Sequence, residues 1–313
     1  MNVSPLHESE FAATVMAVPP LARRADLSLD AAQNQKLIRH IEAGGVRTLL
    51  YGGNANLYHV AVSEYRELLE LLAVCAGPGT RVIPAIGPDY GKMLDEARIL
   101  AQTSYRTAMV LPLTGFTTSQ GIEDGLSRIA ETAGMPLTLY IKSEEYVDVD
   151  TLARLVERGT LIAIKYAIVR ERPEHDPYLR RLLQHISPTQ IISGMGERPA
   201  LVHLRDFGLA SWTTGSGCIA PHTVTALLHA VKAARIDEAQ SLYDAFMPLE
   251  TLRDGISLIR VLHDAVTFSK IADMGPLLPL LSSTPLEHHA KIDAETQALL
   301  AFERHLVERS TIR

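Results

Sequence analysis

The sequence predicts an α/β fold, an eight-stranded parallel barrel of β/α units with a C-terminal helical extension, on three observations. Short apolar, β-rich runs recur eight times, at Ala13 to Val18, Arg47 to Tyr51, Arg81 to Ile86, Thr107 to Leu111, Leu137 to Ile141, Leu161 to Lys165, Gln190 to Ser193 and Ser211 to Thr214. They are near-continuously hydrophobic, as strands covered on both faces are. Between them lie longer stretches with helical spacing of apolar residues, and such alternation indicates a parallel sheet, doubly wound or closed. The strand starts fall about 20 to 35 residues apart, the length of one β/α unit, and eight such units favour closure into a TIM barrel.

The intervening helices are expected over Leu29 to Ala43, Val62 to Ala76, Gly91 to Gln102, Ile122 to Ala133, Val149 to Arg158 and Pro177 to His185. Several end at glycine, as Ala43-Gly44-Gly45 and Ala133-Gly134 do, which suits a left-handed cap before the next strand. After Pro221 the alternation stops. Thr223 to Ala234, Ile236 to Phe246, Arg253 to Ser269 and Ala294 to Glu308 read as helices with no strand between them. The first closes the eighth unit, so residues 11–235 are assigned to the barrel and 236–313 to a helical region packed on it. Met274-Gly275-Pro276-Leu277-Leu278-Pro279 reads as a broken connector, and the opening ten residues as a mobile tail.

Composition narrows the function. The 313 residues are 47% hydrophobic and 21% charged, ordinary values for a globular protein with a sizeable core. Thirty Lys and Arg against 36 Asp and Glu leave a net charge of −6, so no basic field awaits nucleic acid or an anionic membrane. Neither is expected as a partner. Cys75 and Cys218 lie far apart and fit no metal spacing, and they read as free thiols of a reducing compartment. The first residues lack the charged and apolar regions of a signal peptide, and no apolar run approaches the ~18 residues of a membrane span. A soluble, cytoplasmic protein is expected.

In a TIM barrel the C-terminal ends of the strands carry the chemistry. Of seven lysines, only Lys142 and Lys165 come at or just past a strand end. Lys165 closes the run Leu161-Ile162-Ala163-Ile164-Lys165, where desolvation would lower its pKa and leave a nucleophilic amine for Schiff-base chemistry. The plain alternative is a lysine leaving the rim into solvent. Tyr140 ends the neighbouring strand and can shuttle protons to such an amine, although a strand-end tyrosine is more often a packed aromatic. Gly52-Gly53-Asn54-Ala55-Asn56 follows the second strand and offers backbone N–H groups to a carboxylate, or is a simple turn. Thr213-Thr214-Gly215-Ser216-Gly217 after the eighth strand reads the same two ways. The twelve histidines are scattered, with no H-E-x-x-H and no acidic cluster at the strand ends, so no metal and no cofactor is expected. His288-His289 reads as a solvated helix entry, Trp212 and Cys218 as packing residues. Glu144 and Glu145 read as a solvated turn within reach of a polar substrate tail.

From about Phe11 to Pro279 the chain resembles the dihydrodipicolinate synthase and N-acetylneuraminate lyase family of class I aldolases. The resemblance is carried by Gly52-Gly53-Asn54, Leu139-Tyr140, Ile162-Ala163-Ile164-Lys165, Ile192-Ser193-Gly194 and Thr213-Thr214-Gly215, in order and spacing. It implies Lys165 as the Schiff-base lysine and Tyr140 as the catalytic tyrosine. It also implies Gly53 and Asn54 as holders of the keto acid's carboxylate, Gly194, Thr214 and Gly215 as further substrate-binding positions, and a homo-oligomer, a dimer or a tetramer. Departures matter too. The family's G-T-T-G-E or G-S-T-G-E is replaced by Gly52 to Asn56, and the Tyr-Tyr pair of the synthases by Pro112-Leu113-Thr114-Gly115-Phe116. Their carboxylate-holding arginine falls near Glu145 or Tyr146. Dihydrodipicolinate synthase activity itself is therefore disfavoured. The Gly-Gly-Asn loop and Thr-Thr-Gly turn are more similar to the branch containing 5-keto-4-deoxyglucarate dehydratases.

The function expected is a Schiff-base lyase, aldolase or dehydratase acting on a 2-keto acid such as pyruvate or a sugar-derived keto acid. The competing expectation is a family member impaired in catalysis that serves as a metabolite-binding or regulatory protein.

Overall fold

The computed structural model describes residues 1–113 and 115–311, the side chains of Ser310 and Thr311 excepted. Thr114, in the segment after the fourth strand, lies outside the described residues, as do the last two residues of the helical region. All eight expected strands form: β1 (Met16–Ala17), β2 (Thr48–Tyr51), β3 (Arg81–Ile86), β4 (Ala108–Val110), β5 (Leu137–Ile141), β6 (Leu161–Tyr166), β7 (Ile191–Ser193) and β8 (Thr213–Thr214). They pair in parallel in the order β7-β6-β5-β4-β3-β2-β1-β8, and a parallel bridge from Ser193 to Trp212 brings the two ends together. The architecture is a TIM barrel. Its strands are buried apart from the half-buried Tyr140 and Ile162, the reason their sequences run apolar without alternating.

Helices α1 (Ser9–Ala13), α2 (Ala31–Ala43), α3 (Val62–Cys75), α4 (Tyr90–Leu100), α5 (Ser119–Ala133), α6 (Val149–Glu157), α7 (Pro177–Leu182), α8 (Ala200–Phe207) and α9 (Pro221–Lys232) precede or surround the barrel. Side chains of Asp30, Thr118, Asp148 and Asp176 accept from first-turn N–H groups at the starts of α2, α5, α6 and α7, offsetting the donors a helix end leaves open. At the other end of α5, Gly134 takes the expected left-handed cap, φ 65°.

Two expectations change. The opening residues are no loose tail: Asn2 N–H donates to Thr80 at 2.7 Å, Arg81 pairs with Glu10 at 2.8 Å, and Phe11 on α1 is buried. An apolar anchor and a paired guanidinium hold the segment across the N-terminal end of β3. Beyond α9 come four helices, α10 (Ile236–Asp244), α11 (Met247–Gly255), α12 (Leu258–Phe268) and α13 (Leu286–Thr311). The single helix expected over Arg253 to Ser269 is thus two, because the turn at Ile256 breaks the ladder and Ser257 restarts it by accepting from Arg260 N–H. None of the described helices is long and apolar enough to cross a membrane.

Candidate active site

The strand ends open onto a cavity of about 280 Å³, smaller than pockets that take drug-sized ligands. Tyr140 and Lys165 are register partners on β5 and β6, so their side chains share the inward face, and both line the cavity. Lys165 Nζ stands 3.8 Å from the centroid of the Tyr140 ring. Only 6% of Lys165 is exposed. Burial, with smaller contributions from Lys142 and Arg253, pushes its pKa down to about 7, so a large share of the amine is neutral at physiological pH. Lys142 stands exposed at the rim, 6.0 Å from the same ring. The phenol of Tyr140 is held above its usual range, first by burial and then by Tyr58.

The glycines serve the lysine as much as any ligand. A Cβ at Gly194 would sit 2.8 Å from Lys165 Cγ and 2.9 Å from the Tyr166 carbonyl. Its own N–H already donates to that carbonyl at 2.6 Å. Gly194 therefore makes room for the lysine stem. Across the cavity, Gly53 and Asn54 line the wall. Asn54 Nδ2 donates to the Val18 carbonyl at 3.0 Å, pinning the loop to the end of β1, while the backbone N–H groups of Gly53 and Asn54 donate to no described residue.

At β8 the neighbours divide. Thr213 lines the cavity, whereas the Thr214 hydroxyl is engaged outside it, donating to Glu197 and accepting from Gly217 N–H. Gly215 lines the cavity as well, but a Cβ there would lie 2.4 Å from Arg253 Nη2, so its bareness admits that guanidinium. Glu144 is turned away into ion pairs with Arg170 and Arg181, and Glu145 bonds the Ser143 hydroxyl in the exposed turn. Trp212 and Cys218 are fully buried packing residues. His289, in the first turn of α13, donates from Nε2 to the Thr284 carbonyl at 3.0 Å and meets the Phe268 ring edge-on.

Sequence reasoning missed Tyr58, Arg253 and the Ser257-Leu258-Ile259 turn, all of which line the cavity. Arg253 is 4% exposed, and its Nη1 donates to Glu250 Oε1 at 2.5 Å, an oxygen that also accepts from Ser216 at 2.5 Å. Nearby Glu197 is fully buried. Burial first and Glu250 second push its carboxyl up to about 8, which keeps it protonated near neutral pH. A signal for Arg253 existed: Gly255 two residues before Ser257 is a helix stop followed by a helix start.

No protein-family model matches the chain, and no curated protein matches it. Solved structures do. Dihydrodipicolinate synthase from Bacillus clausii is 19% identical and superposes with a TM-score of 0.81 over 95% of this chain and 99% of its own. The corresponding enzyme from Agrobacterium tumefaciens is 18% identical, with a TM-score of 0.81 over 92% of this chain and 99% of its own. A sialic acid aldolase from Ruminococcus gnavus is 12% identical, with a TM-score of 0.81 over 93% and 98%. The barrel and its C-terminal helices are thus similar in fold, over nearly their whole length, to dihydrodipicolinate synthases and sialic acid aldolases.

Proposed function

We propose that the protein is a class I lyase, an aldolase or dehydratase that binds a 2-keto acid as a Schiff base on Lys165. The observation that carries the proposal is the desolvated Lys165 amine, with its pKa near 7, over the Tyr140 ring in the cavity at the strand ends. The neutral amine attacks the keto carbon, and the carbinolamine loses water to form an iminium. That iminium accepts the electron pair released when a bond to the β-carbon breaks, or when a proton leaves C3 before a β-hydroxyl departs as water. Tyr140 carries protons in these steps, a role supported by its ring lying 3.8 Å from Lys165 Nζ. Lys142 favours the neutral amine by adding a nearby positive charge.

The structural neighbours support the reading, since they include aldolases and one solved as a catalytic lysine mutant. The finer part of the proposal is a likeness to the 5-keto-4-deoxyglucarate dehydratase branch, carried by the Gly52 to Asn56 loop. Dihydrodipicolinate synthesis is disfavoured, because Glu145 is an exposed carboxylate and Tyr146 is buried where the synthases have an arginine. The reading includes a cytoplasmic homo-oligomer of two or four chains, and no nucleic-acid or membrane partner. A metabolite-binding role without catalysis is the second reading, favoured by the commitment of Asn54 Nδ2 and Gly194 N–H to protein carbonyls.

Borohydride reduction in the presence of pyruvate and a panel of sugar-derived keto acids, followed by intact mass and peptide mapping, tests the proposal. The expected result is an adduct on Lys165, absent in Lys165→Ala and still formed in Lys142→Ala. An adduct on Lys142, or none with any keto acid, would overturn it.

A further inference from the structure

Two tyrosines line the cavity, Tyr58 and Tyr140. Elsewhere in the fold Tyr65, Tyr105, Tyr166 and Tyr178 each donate to a protein oxygen, at 3.0, 2.7, 2.5 and 2.7 Å, as buried phenols usually must. The hydroxyls of Tyr58 and Tyr140 meet no hydrogen-bond partner among the described residues. Such a phenol, lining a cavity, is a donor for whatever enters it. Tyr140 already has a role beside Lys165, whereas Tyr58 has none. Its place is set by the loop after β2. Leu57 N–H donates to the Gly52 carbonyl at 3.1 Å and Asn56 N–H to the Gly53 carbonyl at 2.9 Å. Asn56 takes the left-handed conformation, φ 58°, and the chain turns back into a short 3-10 turn over Leu57–His59. Tyr58 is thereby returned to Gly53, where a Cβ would lie 3.7 Å from Tyr58 Cε2. The ring stands beside the backbone N–H groups of Gly53 and Asn54, which donate to no described residue.

The turn is held from behind by Lys92 on α4. Its side chain is 14% exposed, and Nζ donates to the Leu57 and Tyr58 carbonyls at 3.1 Å each. Those carbonyls belong to the peptide groups on either side of the Tyr58 Cα. Each peptide is planar, so one ammonium fixes both planes from which the side chain projects. Glu96, one helical turn further along α4 and 2% exposed, stands 3.9 Å from Lys92 Nζ. It also accepts from Gly87 N–H at 2.7 Å, which ties the ammonium to the segment that follows β3. Neither Lys92 nor Glu96 lines the cavity, so both act on it through the turn that carries Tyr58.

We infer that Tyr58 is a substrate-binding residue, its hydroxyl donating to the C1 carboxylate of the Lys165-bound keto acid beside the Gly53 and Asn54 N–H groups, and that Lys92 is the positioning residue that aims it. The inference rests on Lys165 as the Schiff-base residue. A phenol donating to a carboxylate makes a charge-assisted hydrogen bond, stronger than one between neutral groups. It therefore separates a keto acid from an uncharged ketone of similar shape. Burial holds the Tyr58 phenol above its usual pKa, so it keeps the proton it donates at neutral and mildly alkaline pH.

The test is cyanoborohydride trapping on the full-length protein with pyruvate and with methyl pyruvate, which differ in the charge at C1. In Tyr58→Phe, which removes only the hydroxyl, the pyruvate concentration for half-trapping should rise about tenfold or more, and that of the ester about threefold or less. Lys92→Met replaces the ammonium by an apolar end of similar length and should weaken pyruvate in the same way. In the Tyr58→Phe background it should add about twofold or less, because the two residues act through one hydroxyl. Lys92→Gln, which keeps a donor without the charge, disturbs the same turn more mildly, and its loss should vanish in that background too. An unchanged half-trapping concentration for pyruvate in Tyr58→Phe, or equal losses for acid and ester, would overturn the assignment of Tyr58 and leave the Lys165 reading standing. A loss from either Lys92 variant that persists in full in the Tyr58→Phe background would overturn the positioning role. No adduct with pyruvate or with the wider keto-acid panel in the unaltered protein would overturn the Lys165 reading and this inference with it.

Discussion

The ends of β5 and β6 and the joint between α11 and α12 supply two walls of one cavity by different physical routes. At the strand ends, two residues are brought together by adjacent parallel strands in register, and the apolar runs that make the strands also desolvate Lys165. At the joint, Arg253 reaches the cavity only because a helix stops at Gly255, another restarts after Ser257, and Gly196 and Gly215 leave room beneath the Glu250–Arg253 pair. The first wall is a product of local pattern. The second depends on three distant segments agreeing in space. The amine and the phenol are thus placed on the barrel, and a buried guanidinium on an appended element.

The comparison can be broken most directly at Tyr140. If the strand-end wall performs the proton transfers, Tyr140→Phe should lower kcat by about 100-fold or more on the best panel substrate, and an unchanged kcat would show that the phenol only packs. The next test concerns pH. Because burial has lowered the Lys165 pKa to about 7, the neutral fraction of the amine rises with pH up to that value and then levels off. Initial trapping rates with cyanoborohydride should therefore climb about fiftyfold from pH 5 to 7 and flatten above pH 8. A rate that continues to rise through pH 9 would mean that the amine is not desolvated.

Gly215 sharpens the comparison, since it belongs to a strand-end loop but serves the helical wall. In Gly215→Ala the new Cβ meets the far end of a flexible side chain, so the fold should persist while the guanidinium is displaced. The displaced guanidinium narrows the cavity, so KM on the best panel substrate should rise about tenfold or more. An unchanged KM would show that this wall does not meet the substrate. The smallest effect is expected at Asn54. Its Nδ2 already donates to Val18, so Asn54→Ala should raise KM by about 3- to 10-fold through a loosened loop. A loss confined to kcat would instead place Asn54 beside an oxygen that changes charge during the reaction.

The barrel was legible because every strand is buried on both faces and every β/α unit repeats the same hydrophobic grammar. β3 and β5 begin and end where their apolar runs do. Lys165 and Tyr140 were legible for the same reason, as polar residues ending apolar strands. The helical region was less so. A break of only two residues, Ile256 and Ser257, separates the nine-residue α11 from the 11-residue α12, so the apolar spacing runs on from Arg253 in α11 through α12 as if in one helix. The N-terminal segment was misread because its anchors, Thr80 and Arg81, lie some seventy residues further along the chain.

Local chain physics by itself determined the alternation of strands and helices, the parallel closed sheet, and the presence of an amine and a phenol at adjacent strand ends. Those features depend on periodicity and burial within short windows, which the order of residues records. Only the tertiary structure decided that Thr214 turns outward to Glu197, that Gly194 and Gly215 are bare to admit a lysine stem and a guanidinium, and that Arg253 shares the cavity of Lys165. Each is a matter of which atoms from distant segments occupy the same few ångströms, and packing at that distance leaves no periodic trace in the sequence.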